Sequence, residues 1–547
     1  MKKTIQMLIA LLIGCAVMSA CSEKDDESNV VNPTPDPEPA KLTYTLTIKA
    51  TKGENAGLSK ALALIEGENG KYSLNATWKD GDLVSVSLVN GDTKTLVGTL
   101  TAQNSADNNT TLTNFDISNQ DYTPQQGDNL LLEFLSPNYS SQNGTLDYIA
   151  ANCDYATAST SIREVTADGK ITANDVTFIN QQAIVKFTLS SGGNVINATS
   201  LKVNDIIINL ASATNEVFVA IPEADAKNIS LTVEDGTDKY GFYKAGANFV
   251  NGKYYTVNVK KLLKTPCDLS SVSGYVVIPD GFVITGRLSG NHKISIADGA
   301  TVTLKGVTIG VSDCAGITCE GDATIILDGR NSVSGSYGYP GIYIAKDKTL
   351  TIKGSGSLGA YGRYSGAGIG GGYEIPCGNI VIESGEITAS GGESAAGIGS
   401  GYEASCGDIM INGGTVDASG GGNAAGIGSG FGPVASCGDI TINGGNVTAL
   451  SSPNHSSIRG AAGIGSGNSA SCDDITISGG TINATGSDCG AGIGSGYYAS
   501  CGDITITAGV YKVTAKKGSY GYKSIGKGVG GECGVVTIED DVKVNEE

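Results

Sequence analysis

Apolar and polar residues alternate in short runs along the first half of the chain. The runs are "LTYTLTIKA" (Leu42 to Ala50), "LVSVSLV" (Leu83 to Val89), "LLLEFL" (Leu130 to Leu135), "AIVKFTL" (Ala183 to Leu189), "IIINL" (Ile206 to Leu210) and "YYTVNV" (Tyr254 to Val259). A period of two, bounded by Gly, Asn and Asp clusters, predicts half-buried strands, and no long segment carries the helical period. Residues 41–262 are therefore expected to form an all-β sandwich, or two in tandem with a boundary near 165. Trp78, in "TWKDGDLVSVS", precedes a polar turn that feeds a strand. Its expected place is core packing over that turn rather than stacking on a ligand.

From residue 267 the pattern becomes a repeat. Cysteines recur at Cys377, Cys406, Cys437, Cys472, Cys501 and Cys533, with spacings of 29, 31, 35, 29 and 32 residues. Between them three short strands return: "GDITI", "GGTVDAS" or its equivalent, and "AAGIG". Units of this length, each unable to bury its apolar face alone, must stack. They lack the helices of leucine-rich and ankyrin arrays, so residues 267–547 are predicted to form a right-handed parallel β-helix with three strands per turn. About eight or nine turns would make a rod roughly 40 Å long. Ile409, Ile411, Ile427, Ile440 and Ile442 should point inward and stack on their equivalents, while the extra residues "SSPNHSSIRG" (Ser451 to Gly460) should protrude.

Composition narrows this picture. The 547 residues include 79 glycines without a three-residue period, which excludes collagen. A formal net charge of -19 argues against a nucleic-acid partner, and a polyanionic glycan would need a bridging cation. At the amino end, Lys2 and Lys3 precede the apolar "MLIALLIGCAV" (Met7 to Val17), an export signal over 1–20 too short to remain as a membrane span. Ser19 and Ala20 before Cys21 resemble the lipobox of bacterial lipoproteins, which implies lipidation of Cys21; a soluble secretory signal with a chance cysteine is the alternative. The acidic "SEKDDE" (Ser22 to Glu27) is similar to the tag that sends such lipoproteins to the outer face of the outer membrane. Prolines 33, 35, 37 and 39 complete a semi-rigid spacer over 21–40.

"KALAL" (Lys60 to Leu64), "TWKDGDLVSVS", "FINQQAIVKFTLSS" (Phe178 to Ser191) and "GKYYTVNVKKL" (Gly252 to Leu262), in this order, resemble the fimbrillin-like proteins of Gram-negative anaerobes. The resemblance covers about two fifths of the chain. It implies a surface lipoprotein with two transthyretin-like β-sandwiches, of a family in which many members polymerise into pili after an arginine-specific protease removes the first strand. Two departures stand out. No arginine precedes Arg163, and the region after the sandwiches, where a stalk subunit would carry its donor strand, is occupied by the repeats. A pilus-tip subunit or a stand-alone surface protein is expected rather than a stalk subunit. "AGIGGG" (Ala367 to Gly372) resembles glycine-rich repeats of large bacterial surface proteins and carbohydrate-binding β-helices, which also implies an adhesin.

Several columns in the repeats carry candidate chemistry. The glycines of "GIGSG" suit sharp corners; a phosphate-cradling loop would need a following helix, and the Walker form a Lys then Ser or Thr. The cysteine column lacks the close pairs and histidines of a metal site, since the chain has two histidines, His292 and His455. Buried free thiols are the expectation there, with disulfides expected instead at Cys314–Cys319 or at Cys489. Tyr373, Tyr402, Phe431 and Tyr497, with Asn468 in the same register, would form either a strip suited to sugar faces or a ladder sealing the turns. Asp408, Asp439, Asp474 and Asp503, with Asn379 in place, either cap the next strand's amides or hold calcium, which needs several oxygen ligands.

An enzyme on this fold would need a singular carboxylate pair or an acid cluster beside a base, and the acids recur evenly. No catalytic residue and no further cofactor is expected. The reading is therefore a lipid-anchored outer-surface adhesin whose rod binds a glycan, a glycoprotein or a partner surface. A non-binding pilus or surface component, with pilin subunits as partners, is the alternative; a polysaccharide lyase or hydrolase comes third.

Overall fold

The computed structural model describes residues 43–52, 63–66, 72–75, 77–106, 108–136, 138–222, 228–453 and 459–547. The export signal, Cys21 and the proline spacer lie outside the described residues, as do His455 and the centre of the Ser451 to Gly460 insertion. The architecture expected from the alternating runs and the repeats is the one observed: β-sandwiches followed by a parallel β-helix.

In the first sandwich the two sheets are joined at their edges. Ala156–Val165 pairs antiparallel with Asn129–Phe134 on one side and with Val176–Asn180 on the other, and the remaining strands complete the circuit through Ile48–Lys52, Asn109–Ile117, Thr93–Ala106 and Leu83–Asn90. Closure leaves few free edges for other chains to pair with. Inside sit Leu46, Ile48, Val84, Val86, Leu100, Leu112, Leu132 and Phe178, all essentially inaccessible. Trp78 packs here as expected, edge-on to Phe134 and Phe178 at 5.2 and 5.1 Å. Beside it the Lys52 ammonium is buried, 3.3 Å from the centre of the Phe134 ring, with the Asp154 carboxylate 3.4 Å away.

The second sandwich stacks a sheet built on Gln182–Ser191, Glu216–Pro222 and Tyr254–Val259 against one built on Ala198–Val203, Ile206–Thr214, Asn228–Glu234 and Lys239–Ala245. One core runs from Leu46 to Phe178 and the next from Ala183 to Leu262, so the cores divide near residue 180, later than the expected 165. The physical reason is that the strands Lys170–Ala173 and Val176–Asn180 pair back into the first sandwich. A seven-residue helix, Leu146–Asn152, also escapes the alternation rule; Thr145 caps it by accepting the Tyr148 amide at 3.2 Å.

The second sandwich seats on the start of the rod. Gly241 lies so close to Phe282 and Pro279 that a Cβ would meet them at 2.6 and 2.8 Å, and Tyr243 and Leu263 pack on the rod's core. A solenoid needs its first apolar turn covered, and here a folded domain does it.

Each turn of the rod advances one rung through parallel, in-register ladders. The first joins Asn379–Ile382, Ile409–Ile411, Ile440–Ile442, Ile475–Ile477 and Ile504–Ile506. The second joins Glu386–Ser390, Thr415–Gly420, Asn446–Ser451, Gly480–Thr485 and Val510–Lys516. The third, on the "GIG" corners, has ten rungs and begins at Tyr275–Ile278. That first rung lacks the glycine and cysteine marks, which is why the repeat pattern suggests eight or nine turns. Ile409, Ile411, Ile427, Ile440 and Ile442 all point inward, fully buried, each beneath its equivalent. A fourth ladder is unexpected: two-residue strands Ser405–Cys406, Ser436–Cys437, Ser471–Cys472, Ser500–Cys501 and Glu532–Cys533. Two residues are too few to show a period, so three strands per turn become four.

Candidate functional site

The exposed edge of the rod is built on corners that only glycine can turn. Gly370, Gly399, Gly428, Gly465 and Gly494 have φ of 129 to 134°, and a Cβ at any of them would strike the carbonyl of the glycine one turn on. The next residue locks the corner from inside. Ser400, Ser429, Ser466 and Ser495 are fully buried, and each Oγ accepts an amide from the following turn: Gly430 at 2.8 Å, Gly467 at 3.0 Å, Gly496 at 3.3 Å and Gly528 at 3.0 Å. Read as part of a corner, this serine column has no separate signal in the sequence.

The aspartate column makes the same kind of bond on the outside. The Asn379 Oδ1 accepts the Asp408 amide at 2.9 Å, Asp408 accepts from Asp439 at 3.0 Å, and Asp439 accepts from Asp474 at 3.1 Å. Asp474 accepts from Asp503, and Asp503 from Val535, both at 2.7 Å. Asp298 and Asp322 begin the ladder in earlier turns. Of the two readings open for this column, amide capping is the one the geometry supports. One oxygen of each carboxylate is committed to an amide, and no group of three His, Cys, Asp or Glu side chains placed to hold a metal ion occurs among the described residues. The ladder also explains the glycine after most cysteines, since a Cβ at Gly438, Gly502 or Gly534 would run into the carboxylate of the turn before.

Three of the four aromatic candidates form a stack. Tyr373 and Tyr402 lie with ring centres 5.3 Å apart and planes 18° from parallel, and Phe431 follows Tyr402 at 5.6 Å and 51°. Beside them a second stack joins Tyr337 and Tyr364, 4.2 Å apart and 17° from parallel. The two are neighbours, because the Tyr373 amide donates to the carbonyl of Gly338, the residue after Tyr337. Tyr337 is 69% exposed, Tyr364 44% and Tyr373 43%, whereas Tyr402 and Phe431 are half-buried. The Tyr373 phenol is held above its ordinary pKa by a hydrogen bond to Glu374 and by that carboxylate's charge. Glu403, the next equivalent, accepts the Val434 amide at 3.0 Å.

Tyr497 does not join. Asn468 stands between it and Phe431, buried and bonded to Asn423 at 3.2 Å, and Tyr497 instead meets Tyr498 edge-on at 4.6 Å. Tyr337 and Tyr364 escape sequence reading because they precede the regular cysteine repeat. Their only mark is a separation of 27 residues, close to one turn.

The cysteine column is stacked as expected, but its last pair is bonded: Cys501 and Cys533 form a disulfide with Cα atoms 4.6 Å apart. The free-thiol expectation assumed that neighbouring turns are too far apart. The rung spacing in fact lies inside the disulfide range of about 4.4 to 6.8 Å. Cys314 and Cys319 are not joined, and burial pushes the Cys319 thiol up to about 12.

The beta helix repeat family model matches residues 380–402, 409–431, 440–468 and 475–497. Each match opens on an inward isoleucine of the first ladder, and three of the four close on an aromatic, Tyr402, Phe431 or Tyr497, the other closing on Asn468. A solved candidate cell adhesion protein of Bacteroides uniformis is similar at 14% identity and a TM-score of 0.22, over 40% of this chain and 93% of that one. A fimbrial assembly protein of Parabacteroides distasonis shows 11%, 0.23, 40% and 91%. The shaft pilin of Lactobacillus rhamnosus GG shows 9%, 0.17, 40% and 97%. A search of curated proteins returns no match. Fold and repeat together define a solenoid protein, β-sandwiches joined to a parallel β-helix. No helix among the described residues is long and apolar enough to cross a membrane.

Proposed function

We propose that the chain is a cell-surface adhesin, anchored to the outer membrane through lipid on Cys21, that holds a polymeric glycan along the aromatic edge of its rod. It acts as a pilus tip or stand-alone protein, and not as an enzyme. The observation that carries the reading is the paired stack, Tyr337 on Tyr364 beside Tyr373, Tyr402 and Phe431. The exposed rings of Tyr337, Tyr364 and Tyr373, near-parallel to their neighbours at rung spacing, offer apolar faces with hydroxyl rims, and adjacent weak subsites multiply affinity for a repeating ligand. The carboxylates of Glu374 and Glu403 beside the strip, and of Glu393 near Tyr337, favour neutral or amino sugars over anionic polymers. Against catalysis stands the use made of the acids: the even aspartates are spent on backbone amides, and His292 accepts the Gly274 amide at 2.9 Å.

The test is a glycan array on the full chain, followed by titration of any hit. Tyr373→Ala with Tyr402→Ala should weaken binding about tenfold, since each aromatic contact contributes on the order of 0.5–1.5 kcal/mol. Binding untouched by the pair would overturn the strip as the site. Absence of binding to any glycan would favour the rod as a structural spacer, for which the half-burial of Tyr402 and Phe431 also speaks.

A further inference from the structure

We infer that Cys377 and the five cysteines of the fourth ladder form three disulfides, Cys377–Cys406, Cys437–Cys472 and Cys501–Cys533, each stapling two successive turns of the rod. One is present, Cys501–Cys533. At the other end of the column the Cys377 and Cys406 sulfurs are 2.8 Å apart, well inside the van der Waals contact of two sulfurs. Cys437 and Cys472 are direct partners in the same parallel ladder that aligns Cys501 with Cys533.

Parity selects the pairing. Only neighbouring rungs are within reach, and Cys501 is committed to Cys533. The four cysteines left can all be joined in one way; a Cys406–Cys437 bond would strand both Cys377 and Cys472. Each bond forms as two thiols give up two protons and two electrons. The acceptor is a protein disulfide of the oxidising compartment into which the chain is exported, and it leaves as a dithiol.

Burial also sets the timing. The Cys406 thiol is pushed far up by its contact with Cys377 and by burial, the Cys437 thiol by its contact with Cys406 and by burial, and the Cys472 thiol by burial, so the reactive thiolate is scarce once the rod has closed. The bonds therefore form while the turns are stacking, each new rung presenting its thiol to the one beneath. This separates the column from Cys153, Cys267 and Cys319, which are buried in the cores with no cysteine in register.

The full chain exported to an oxidising compartment, and separately chain kept in a reducing cytoplasm, would be unfolded in excess alkylating agent without reductant. Both would then be digested after Asp and Glu, which occur between every neighbouring pair of the six. The exported chain should yield three cross-linked peptide pairs, 377 with 406, 437 with 472 and 501 with 533, and the cytoplasmic chain none. Alkylated Cys377, Cys406, Cys437 and Cys472 in the exported chain would overturn the inference, as would a 406–437 link. In Cys437→Ser, Cys472 should become alkylated while the other two links persist; loss of the 377–406 link there would show that the pairs are not independent.

Discussion

The sandwiches and the rod bury apolar side chains with opposite logic. In the sandwiches, antiparallel and parallel pairs are mixed, Ile48–Lys52 running parallel to Val176–Asn180 and Gln182–Ser191 to Tyr254–Val259, with register shifts in the ladders of Leu83–Asn90, Thr93–Ala106 and Ala156–Val165, and every core position is occupied by a different solution. In the rod, Ile380, Ile409, Ile440, Ile475 and Ile504 are one solution repeated, and so are the corner glycine, the buried serine and the outer aspartate. The contrast teaches where each part is vulnerable. A sandwich concentrates risk in singular contacts, whereas the rod spreads stability over equivalent rungs and concentrates risk in geometry that no rung can alter.

Lys52 is the sharpest way to break the first half of that contrast. Lys52→Ala would leave the Asp154 carboxylate buried without its cation, and should destabilise the first sandwich by about 3–5 kcal/mol. Replacing both partners by apolar residues should recover most of that loss. Denaturant unfolding of the three chains, followed by Trp78 fluorescence, checks both statements; a single variant as stable as the parent would show that the pair is not under strain of burial.

Gly428→Ala tests the second half. At φ 133° with a carbonyl in the way, one methyl group should cost roughly 3 kcal/mol and loosen the turns on either side. Hydrogen exchange should report the damage in Ile427 and Ile464 while the sandwich amides keep their protection. Spread of the loss into residues 43–180 would contradict the separation drawn here.

A pH titration sharpens the comparison further. Burial pushes the Asp154 carboxyl up to about 6, only partly offset by Lys52. The folded chain then holds this proton up to about pH 6, while the unfolded chain releases it near 4. The folded state thus binds more protons between those values, and stability should fall as pH rises through the window, by up to about 3 kcal/mol. Burial lowers the Lys52 pKa, so this group acts at the alkaline end in the opposite sense. Asp154→Asn should remove the slope between pH 4 and 6; an unchanged slope would assign it to other groups.

The smallest effect belongs to one rung of the outer ladder. Asp439→Ala loses the bond to the Asp474 amide and should cost about 1 kcal/mol, whereas Asp439→Asn keeps an accepting oxygen, as Asn379 does, and should be nearly neutral. A large loss in Asp439→Asn, together with a large loss of stability in the parent chain on removal of calcium, would support the metal reading of this column.

Much of this was legible because periodicity is a property of residues near one another in sequence. Alternation marks the sandwich strands, and the cysteine spacing marks the rod and its inward isoleucines. The aromatic column was visible for the same reason, at Tyr373, Tyr402 and Phe431. What escaped had no local period: the two-residue fourth ladder, the first rung at Tyr275–Ile278, and the helix at Leu146–Asn152, which rests on the second sandwich through Ile149.

By itself, then, the sequence determined the class of each half and the composition of each rung. Patterns of period two and of about thirty residues admit few ways of burying their apolar positions. Only the tertiary structure decided what each column does, since that depends on atoms a turn away. It gave the aspartates the amides of the next turn to cap, and it removed Tyr497 from the strip by inserting Asn468. It placed Tyr337 and Tyr364 beside that strip, and it brought Cys501 and Cys533 to a bonding distance. Spacing along a chain says which residues are equivalent; whether equivalents touch is settled by the rise of one rung and the direction of each side chain.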